Sequence, residues 1–373
     1  SNNLIVNNIT VIGIGKLGIC NALIFEKAGY SVLGIDLSEE YCNSLNNKEK
    51  IFEEPYVNEY LRSSENFSAS TSLEEGLDFS DLIFIVIDTP NGQDENHYDH
   101  SKLINLLKNI NQKGIKNKHL IISCTVMPGF TNGIGKPLLS NCKNVTLNYN
   151  PEFIAQGDII RTFENPDMVL IGEENQEVGD SLEKLFRRVC KNKPTFCRVP
   201  PLEAEISKIA VNGFITMKLS YANMIGDICD RVGADKSTVL RSVGADTRIG
   251  NKYLKPGYSF GGPCFPRDTK ALSKLAVKNG ILPLMSEAAS DYNDLHVRYM
   301  AEELLSQNLN TYVFEDVCFK ENCPVAIIEE SAKLKMANLL VKDHGKRVII
   351  KDRVKVIKLV KEEFGKLFEY QIK

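Results

Sequence analysis

A run of apolar and β-branched residues from Asn8 leads into Gly13-Ile14-Gly15-Lys16-Leu17-Gly18. A helical pattern follows from Leu17 to Ala28, with Gly29 as its expected C-cap. The strand Ser31 to Ile35 comes next and ends at Asp36, 18 residues beyond Gly18. This order of parts constrains the fold more than any other feature. A strand, a G-x-G-x-x-G turn, a helix and a second strand closed by an acid form the context of a dinucleotide fingerprint. The glycines permit a tight turn and close approach to a pyrophosphate. The helix start, at Lys16 and Leu17, offers backbone donors and a favourable dipole. Asp36 would accept hydrogen bonds from the adenosine ribose and repel a 2′-phosphate, so NAD is the expected cofactor rather than NADP. The competing reading is a glycine-rich turn with no ligand.

Further apolar strand candidates recur at Leu82–Ile87, His119–Ser123, Val145–Asn148, Met168–Ile171 and Thr195–Val199, with helical stretches between several of them. Near-continuous apolar strands alternating with helices predict a doubly wound, mostly parallel α/β sheet of Rossmann type. At 373 residues the chain is long for one core, so two or three domains are expected. A net charge of −3 gives no reason to expect a nucleic-acid or membrane partner. No apolar run approaches the ~20 residues that span a bilayer. The start of the chain shows no signal-type segment, so a cytoplasmic protein is expected. The 10 cysteines are scattered without paired Cys-x-x-Cys spacing, and the 5 histidines form no ligand cluster, so neither disulfides nor a metal are expected.

The texture changes at Glu203. From there to about Val232 there is no proline, and Ala210, Phe214, Met217, Tyr221, Met224 and Ile228 recur at helical spacing. Thirty helical residues make a rod about 45 Å long. Such a rod would link two domains and offer a face for a homodimer, symmetric pairs being the commonest assemblies; a monomeric helical domain is the alternative. More helix is expected over Thr269–Lys278 and Pro283–Gln307. A third segment reads strand (Tyr312–Val317), helix (Glu330–Lys342), strand (Arg347–Ile350) and helix (Val354–Phe364). The expected division is residues 1–200 for the dinucleotide domain, 201–307 for a helical dimerisation domain, and 308–373 for a short C-terminal α/β domain. From Lys333 to Lys373 there are 12 Lys/Arg against 5 Asp/Glu, a local net of +7. That bias suits a pyrophosphate, or simply a solvated face.

The segment Phe260-Gly261-Gly262-Pro263-Cys264-Phe265-Pro266-Arg267-Asp268 places one thiol in a glycine turn, four residues before a carboxylate. A cysteine so presented can act as a covalent nucleophile. By itself the segment better fits a buried cysteine packed as a small hydrophobe; the rest of the chain reverses that reading.

Taken together, these motifs resemble the UDP-glucose/GDP-mannose dehydrogenase family of nucleotide-sugar 6-dehydrogenases, from Ile9 to about Ser331. Besides the fingerprint, the resemblance rests on Asp88-Thr89-Pro90, Ser123-Cys124-Thr125-Val126-Met127-Pro128-Gly129 and Asn150-Pro151-Glu152-Phe153. It continues through Glu205-x-x-Lys208-x-x-x-Asn212, Arg248-Ile249-Gly250, the Cys264 segment and a weaker Phe319-Lys320 echo. Family chemistry converts the C6 alcohol of a nucleotide sugar to a carboxylate with two NAD per product. The resemblance therefore implies Cys264 as nucleophile, Lys208 and Asn212 as donors to the C6 oxygen, and Asp268 as orienter of water or proton shuttle. Lys208 and Asn212 are four apart, hence on one helix face. Asp268 could also be a helix N-cap. Glu152 and Thr125 would place the hydrolytic water. Thr89, Pro90, Thr125 and Arg267 match cofactor positions. Glu152, Phe153, Tyr253, Lys255 and Gly261 match substrate positions, with Lys208 and Asn212. Arg248 would reach the sugar site of the other subunit of the homodimer, and Lys320 would come from the third domain.

The chain departs from the family at three places. Gln156 stands where many members carry glutamate, Tyr41 replaces a basic residue beyond the ribose acid, and Glu329 replaces a cofactor-contacting arginine. UDP-glucose is the expected substrate. The alternatives are a UDP-N-acetylhexosamine or GDP-mannose enzyme, a catalytically silent binding paralogue, and a two-electron hydroxyacid dehydrogenase.

Overall fold

A computed structural model describes residues 7–92 and 97–373. The opening residues 1–6, on which part of the expectation about a leader rests, lie outside the described residues. The chain separates into two compact units, residues 1–208 and 209–373.

In the first unit the order is β1 (Asn8–Ile12), α1 (Lys16–Lys27), β2 (Ser31–Ile35), α2 (Glu39–Asn46), α3 (Val57–Ser63), β3 (Phe67–Ser70), α4 (Leu73–Phe79) and β4 (Leu82–Ile85). It continues with α5 (Ser101–Lys113), β5 (Lys116–Ile122), β6 (Lys143–Tyr149), α6 (Ile159–Glu164), β7 (Met168–Gly172), α7 (Gln176–Val189), β8 (Thr195–Val199) and the start of α8 (Pro201–Val232). The eight strands form one sheet in the order β3-β2-β1-β4-β5-β6-β7-β8. All pairs are parallel except β6 with β7. Chain order reverses between β1 and β4, which makes a switch point at their carboxyl ends.

Successive strand residues face opposite sides, and the core follows that rule. Ile9 and Val11 join a cluster with Phe25, Phe163 and Phe186 on one face. Ile12 and Ile35 join Leu103, Leu107 and Phe130 on the other. Both faces are covered, as a parallel sheet requires. The short strand β3, which alternates polar and apolar residues, carries no apolar run and was not expected.

The second unit holds the rest of α8, then α9 (Lys236–Gly244), α10 (Phe265–Lys278), α11 (Leu284–Leu305), β9 (Thr311–Glu315), α12 (Ala332–Lys342), β10 (Arg347–Asp352), α13 (Val354–Phe364) and β11 (Glu369–Ile372). The small sheet runs β11-β10-β9, all parallel. Val297 and Ala301 of α11 pack into the same core as Phe314, Leu340 and Ile350. Among the described residues no helix is long and apolar enough to cross a membrane, no cysteine forms a disulfide, and no group of three or more metal-ligating side chains gathers.

Candidate active site

In the first unit every expected site residue before Lys208 lies on a turn beyond a strand's carboxyl end, or on the helix start that follows one. After β1, Gly13 has φ +91°, and a Cβ there would come within 2.3 Å of the Val86 carbonyl oxygen. A Cβ on Gly18 would meet the Gly13 carbonyl oxygen at 1.7 Å. These two glycines are therefore required by packing. Gly15 differs: within 4 Å of its Cβ position there is open space. Among the described residues no side-chain cap bond is made at the N-cap of α1, whose first residues are Lys16 and Leu17. Open room above an uncapped helix start fits a pyrophosphate.

Asp36 closes β2, its carboxylate accepting from the Ser38 amide at 3.2 Å. Tyr41 donates its hydroxyl to the Ile14 carbonyl at 2.6 Å, bracing the fingerprint turn from below. Burial pushes that hydroxyl's pKa up. Exposed Glu39 and Glu40 add negative charge beside Asp36, which disfavours a 2′-phosphate further.

The loops after β4 and β5 are tied together by the Thr89 hydroxyl, which donates to the Thr125 carbonyl at 2.6 Å. Thr89 is buried and Pro90 exposed. Glu205, buried on α8, accepts from the Gly129 and Thr131 amides at 3.1 and 3.0 Å and from the Thr131 hydroxyl at 3.0 Å. Burial raises its pKa, and these bonds oppose the rise. Its place in Glu205-x-x-Lys208 is thus explained by anchoring the Thr125 loop.

After β6, Glu152 carries the most perturbed carboxyl of the site. Desolvation pushes its pKa to about 8, against the pull of a hydrogen bond from Asn21 and the charge of Lys208. Asn21 donates to Oε1, and Oε2 is buried with no partner among the described residues. The Lys208 ammonium lies 4.7 Å over the Phe153 ring.

Asn21 was not foreseen. The available signal was one amide within the otherwise apolar run Ile19-Cys20-Asn21-Ala22-Leu23 on α1. A carboxyl whose folded pKa lies above its unfolded value binds its proton more tightly when folded. Its contribution to stability is complete below the unfolded pKa and is lost as pH climbs through about 8. Glu152→Gln should therefore raise the melting temperature at pH 8 and change it little at pH 4. An equal shift at both pH values, read by differential scanning fluorimetry, would contradict this.

In the second unit Cys264 is partly exposed and occupies the N-cap of α10. Asp268 sits in the first turn, its amide donating to the Cys264 carbonyl at 2.9 Å. This corrects the N-cap reading of Asp268: the cap position belongs to Cys264. Asp268 is 1% exposed, and its Oδ2 accepts from the Asn212 amide at 2.6 Å. Thr216, one turn beyond Asn212, pairs its hydroxyl at 2.8 Å with that of Thr269, the residue after Asp268. Gly213 permits the close approach, since a Cβ there would come within 2.7 Å of Leu272. Arg267 lies beside Asp268, 3.9 Å from its Oδ1.

The glycine turn before the thiol is held from the C-terminal side. Gly262, at φ +89°, donates to the Glu329 carbonyl at 2.9 Å and faces the Phe319 ring. Gly261 faces the Glu330 carbonyl, 2.1 Å from its Cβ position. Lys320 Nζ stands 5.4 Å over the Phe319 ring. Of the remaining expected residues, Tyr253 packs edge-on to Phe265 at 6.2 Å and Lys255 is exposed. Arg248 is exposed, paired with Asp246 at 2.8 Å.

A doubly wound parallel sheet with a glycine cradle at its switch point defines the first unit as a dinucleotide-binding domain, here followed by a long helix that leads to a cysteine-bearing turn. The chain belongs to the UDP-glucose/GDP-mannose dehydrogenase family, whose NAD binding domain matches residues 7–190 and whose central domain matches residues 202–295. UDP-glucose 6-dehydrogenase YwqF of Bacillus subtilis is 32% identical over 276 residues, covering 72% of this chain and 62% of the relative. The match thus spans less than two thirds of that relative's length. Among solved structures, a UDP-glucose dehydrogenase from Pyrobaculum islandicum is 28% identical with a TM-score of 0.88, covering 100% of this chain and 87% of that one. The UDP-N-acetyl-mannosamine dehydrogenase Cap5O from Staphylococcus aureus shares the fold, at 23% identity and a TM-score of 0.73, over 92% of this chain and 82% of that one.

Proposed function

We propose that this protein oxidises the C6 alcohol of a nucleotide sugar to a carboxylate in two NAD-dependent steps, with UDP-glucose as substrate. The observation that carries the reading is the partly exposed Cys264 at the start of α10, with buried Asp268 one turn on and bound to Asn212. A simple two-electron dehydrogenase has no use for that thiol. The names of the Bacillus and Pyrobaculum relatives support glucose as the sugar.

When bound, NAD supplies the hydride acceptor for both oxidations. The open space at Gly15, the uncapped start of α1 and Asp36 are the features that would hold it. Lys208 and Asn212 donate to the C6 oxygen while its proton leaves and the aldehyde forms. The Cys264 sulfur then bonds to C6, and the new hydroxyl proton is passed to a base. Loss of the second hydride leaves a thioester. Water, oriented by Asp268 and by Glu152 with Thr125, adds to that carbon; the C–S bond breaks, and carboxylate and thiol are released. Glu152 suits proton transfer near neutrality because its pKa is pushed to about 8. Arg267 and Thr89 would contact the cofactor, and Phe153, Tyr253, Lys255, Gly261, Arg248 and Lys320 the substrate.

The deciding experiment is a panel of UDP-glucose, UDP-N-acetylhexosamines and GDP-mannose, with NADH read by absorbance. Two NADH per UDP-glucose supports the reading. Two NADH with an acetamido sugar only, or one NADH per product, overturns it.

The assembly we propose is a homodimer through α8. Phe214, Tyr221 and Ile228 recur every seven residues on this helix and are 62%, 51% and 51% exposed. An apolar stripe at heptad spacing is the seam by which two helices pair. Phe214→Glu combined with Tyr221→Glu should convert a dimer into particles of the 41.8 kDa chain mass, as read by light scattering. A wild-type monomer would exclude the dimer.

A further inference from the structure

The segment from Tyr253 to Cys264 contains neither strand nor helix, so its backbone groups need partners from elsewhere. At two residues, side chains supply both. The Gly257 amide donates to Asn223 Oδ1 at 2.9 Å, and its carbonyl accepts from His296 Nε2 at 2.6 Å. The Phe260 amide donates to Asn293 Oδ1 at 2.8 Å, and its carbonyl accepts from Asn293 Nδ2 at 2.9 Å. The Ser259 hydroxyl adds a bond to the Asn293 carbonyl at 2.6 Å. The imidazole is held in turn, with Nδ1 2.8 Å from Asp227, which also accepts from the Tyr292 hydroxyl at 2.7 Å. Asn223, Asn293 and His296 are each at most 5% exposed. Two helices, α8 and α11, thus grip one irregular loop through side chains.

We infer that His296, oriented by Asp227, and Asn293 are positioning residues that fix the Lys255–Cys264 loop for the nucleotide sugar. Gly257 lies two residues after Lys255, and Phe260 lies four before Cys264. Loss of either bracket lets the ammonium and the thiol drift relative to each other. Such polar groups could serve stability alone, and the structure offers a way to separate the two roles. Asp227, Gly257, Tyr258 and His296 line a cavity of about 640 Å³. That volume leaves room for free imidazole to replace a deleted ring beside the Gly257 carbonyl.

The inference rests on the function proposed above, so its test has one arm that needs turnover and one that does not. In His296→Gly, KM for the nucleotide sugar should rise about tenfold, the worth of one buried hydrogen bond, while KM for NAD stays unchanged. Added imidazole should restore it, and His296→Gln, which keeps a donor, should stay near wild type. His296→Asn, polar but too short to reach, should behave as the glycine variant does and guards against a misfolded deletion. Independently of turnover, iodoacetamide should label the Cys264 peptide about tenfold faster in His296→Gly, read by mass spectrometry. Equal rises in both KM values, or no response to imidazole in a protein that melts cooperatively, overturn the inference. If no nucleotide sugar yields NADH with the wild type, the function falls; unchanged labelling of Cys264 would then be what removes the clamp.

Discussion

Cys264→Ser should lower steady-state formation of two NADH per UDP-glucose by about a thousandfold or more, the scale seen when a covalent nucleophile is removed. The hydroxyl is smaller, and Cys264 holds the N-cap position of α10 without a side-chain cap bond, so the variant should fold with an unchanged melting temperature. In the proposed mechanism the first oxidation does not need the sulfur. A single-turnover experiment should therefore still show one hydride transferred, with a hydrazine-trappable aldehyde at C6. The second oxidation fails because a serine hydroxyl is poorly ionised and a worse leaving group than a thiol. Full two-step turnover by the variant would remove Cys264 from the chemistry.

Lys208→Met should cost about 10²–10³ in kcat, the range for loss of one donor to a developing oxyanion. Methionine preserves the unbranched stem over the Phe153 ring while deleting the charge that lies 4.7 Å from it. Lys208 also opposes the rise in the Glu152 pKa. Its removal should push that carboxyl further up, and the activity limb that follows Glu152 ionisation should move to higher pH. A pH–rate profile reads this directly. A kcat within threefold of wild type would place Lys208 outside the reaction. An unchanged profile with a large kcat loss would separate Lys208 from Glu152 while leaving its catalytic role in place.

Much of the first unit could be read from the sequence because one physical signal dominates it. Buried parallel strands are apolar on both faces, so β1, β2, β4 and β7 stand out as continuous runs. The glycine turn carries its own explanation in the steric demands at Gly13 and Gly18. The edge strands β3 and β11 were missed since they alternate or carry polar residues, and α9 because nine residues give little periodicity. Within the site, sequence spacing alone identified the pairing face of Lys208 and Asn212. It could not reveal that Asn212 binds Asp268, or that Asn21 binds Glu152. Those pairs lie 56 and 131 residues apart, and no local pattern reports a contact across such a gap. The loop clamp was invisible for the same reason: Asn293 and His296 read as ordinary polar positions on a helix.

Beside the Phe319 ring, two of the contacts that hold Gly261 and Gly262 are made by main-chain atoms, the carbonyls of Glu330 and Glu329. A brace built from peptide groups does not depend on which side chain is attached to it. The family's arginine could drift to glutamate at position 329 without disturbing the turn that presents the thiol, provided the path of the chain was kept. The C-terminal segment would then be under selection for its backbone trajectory, even where its grip on a nucleotide has been rewritten.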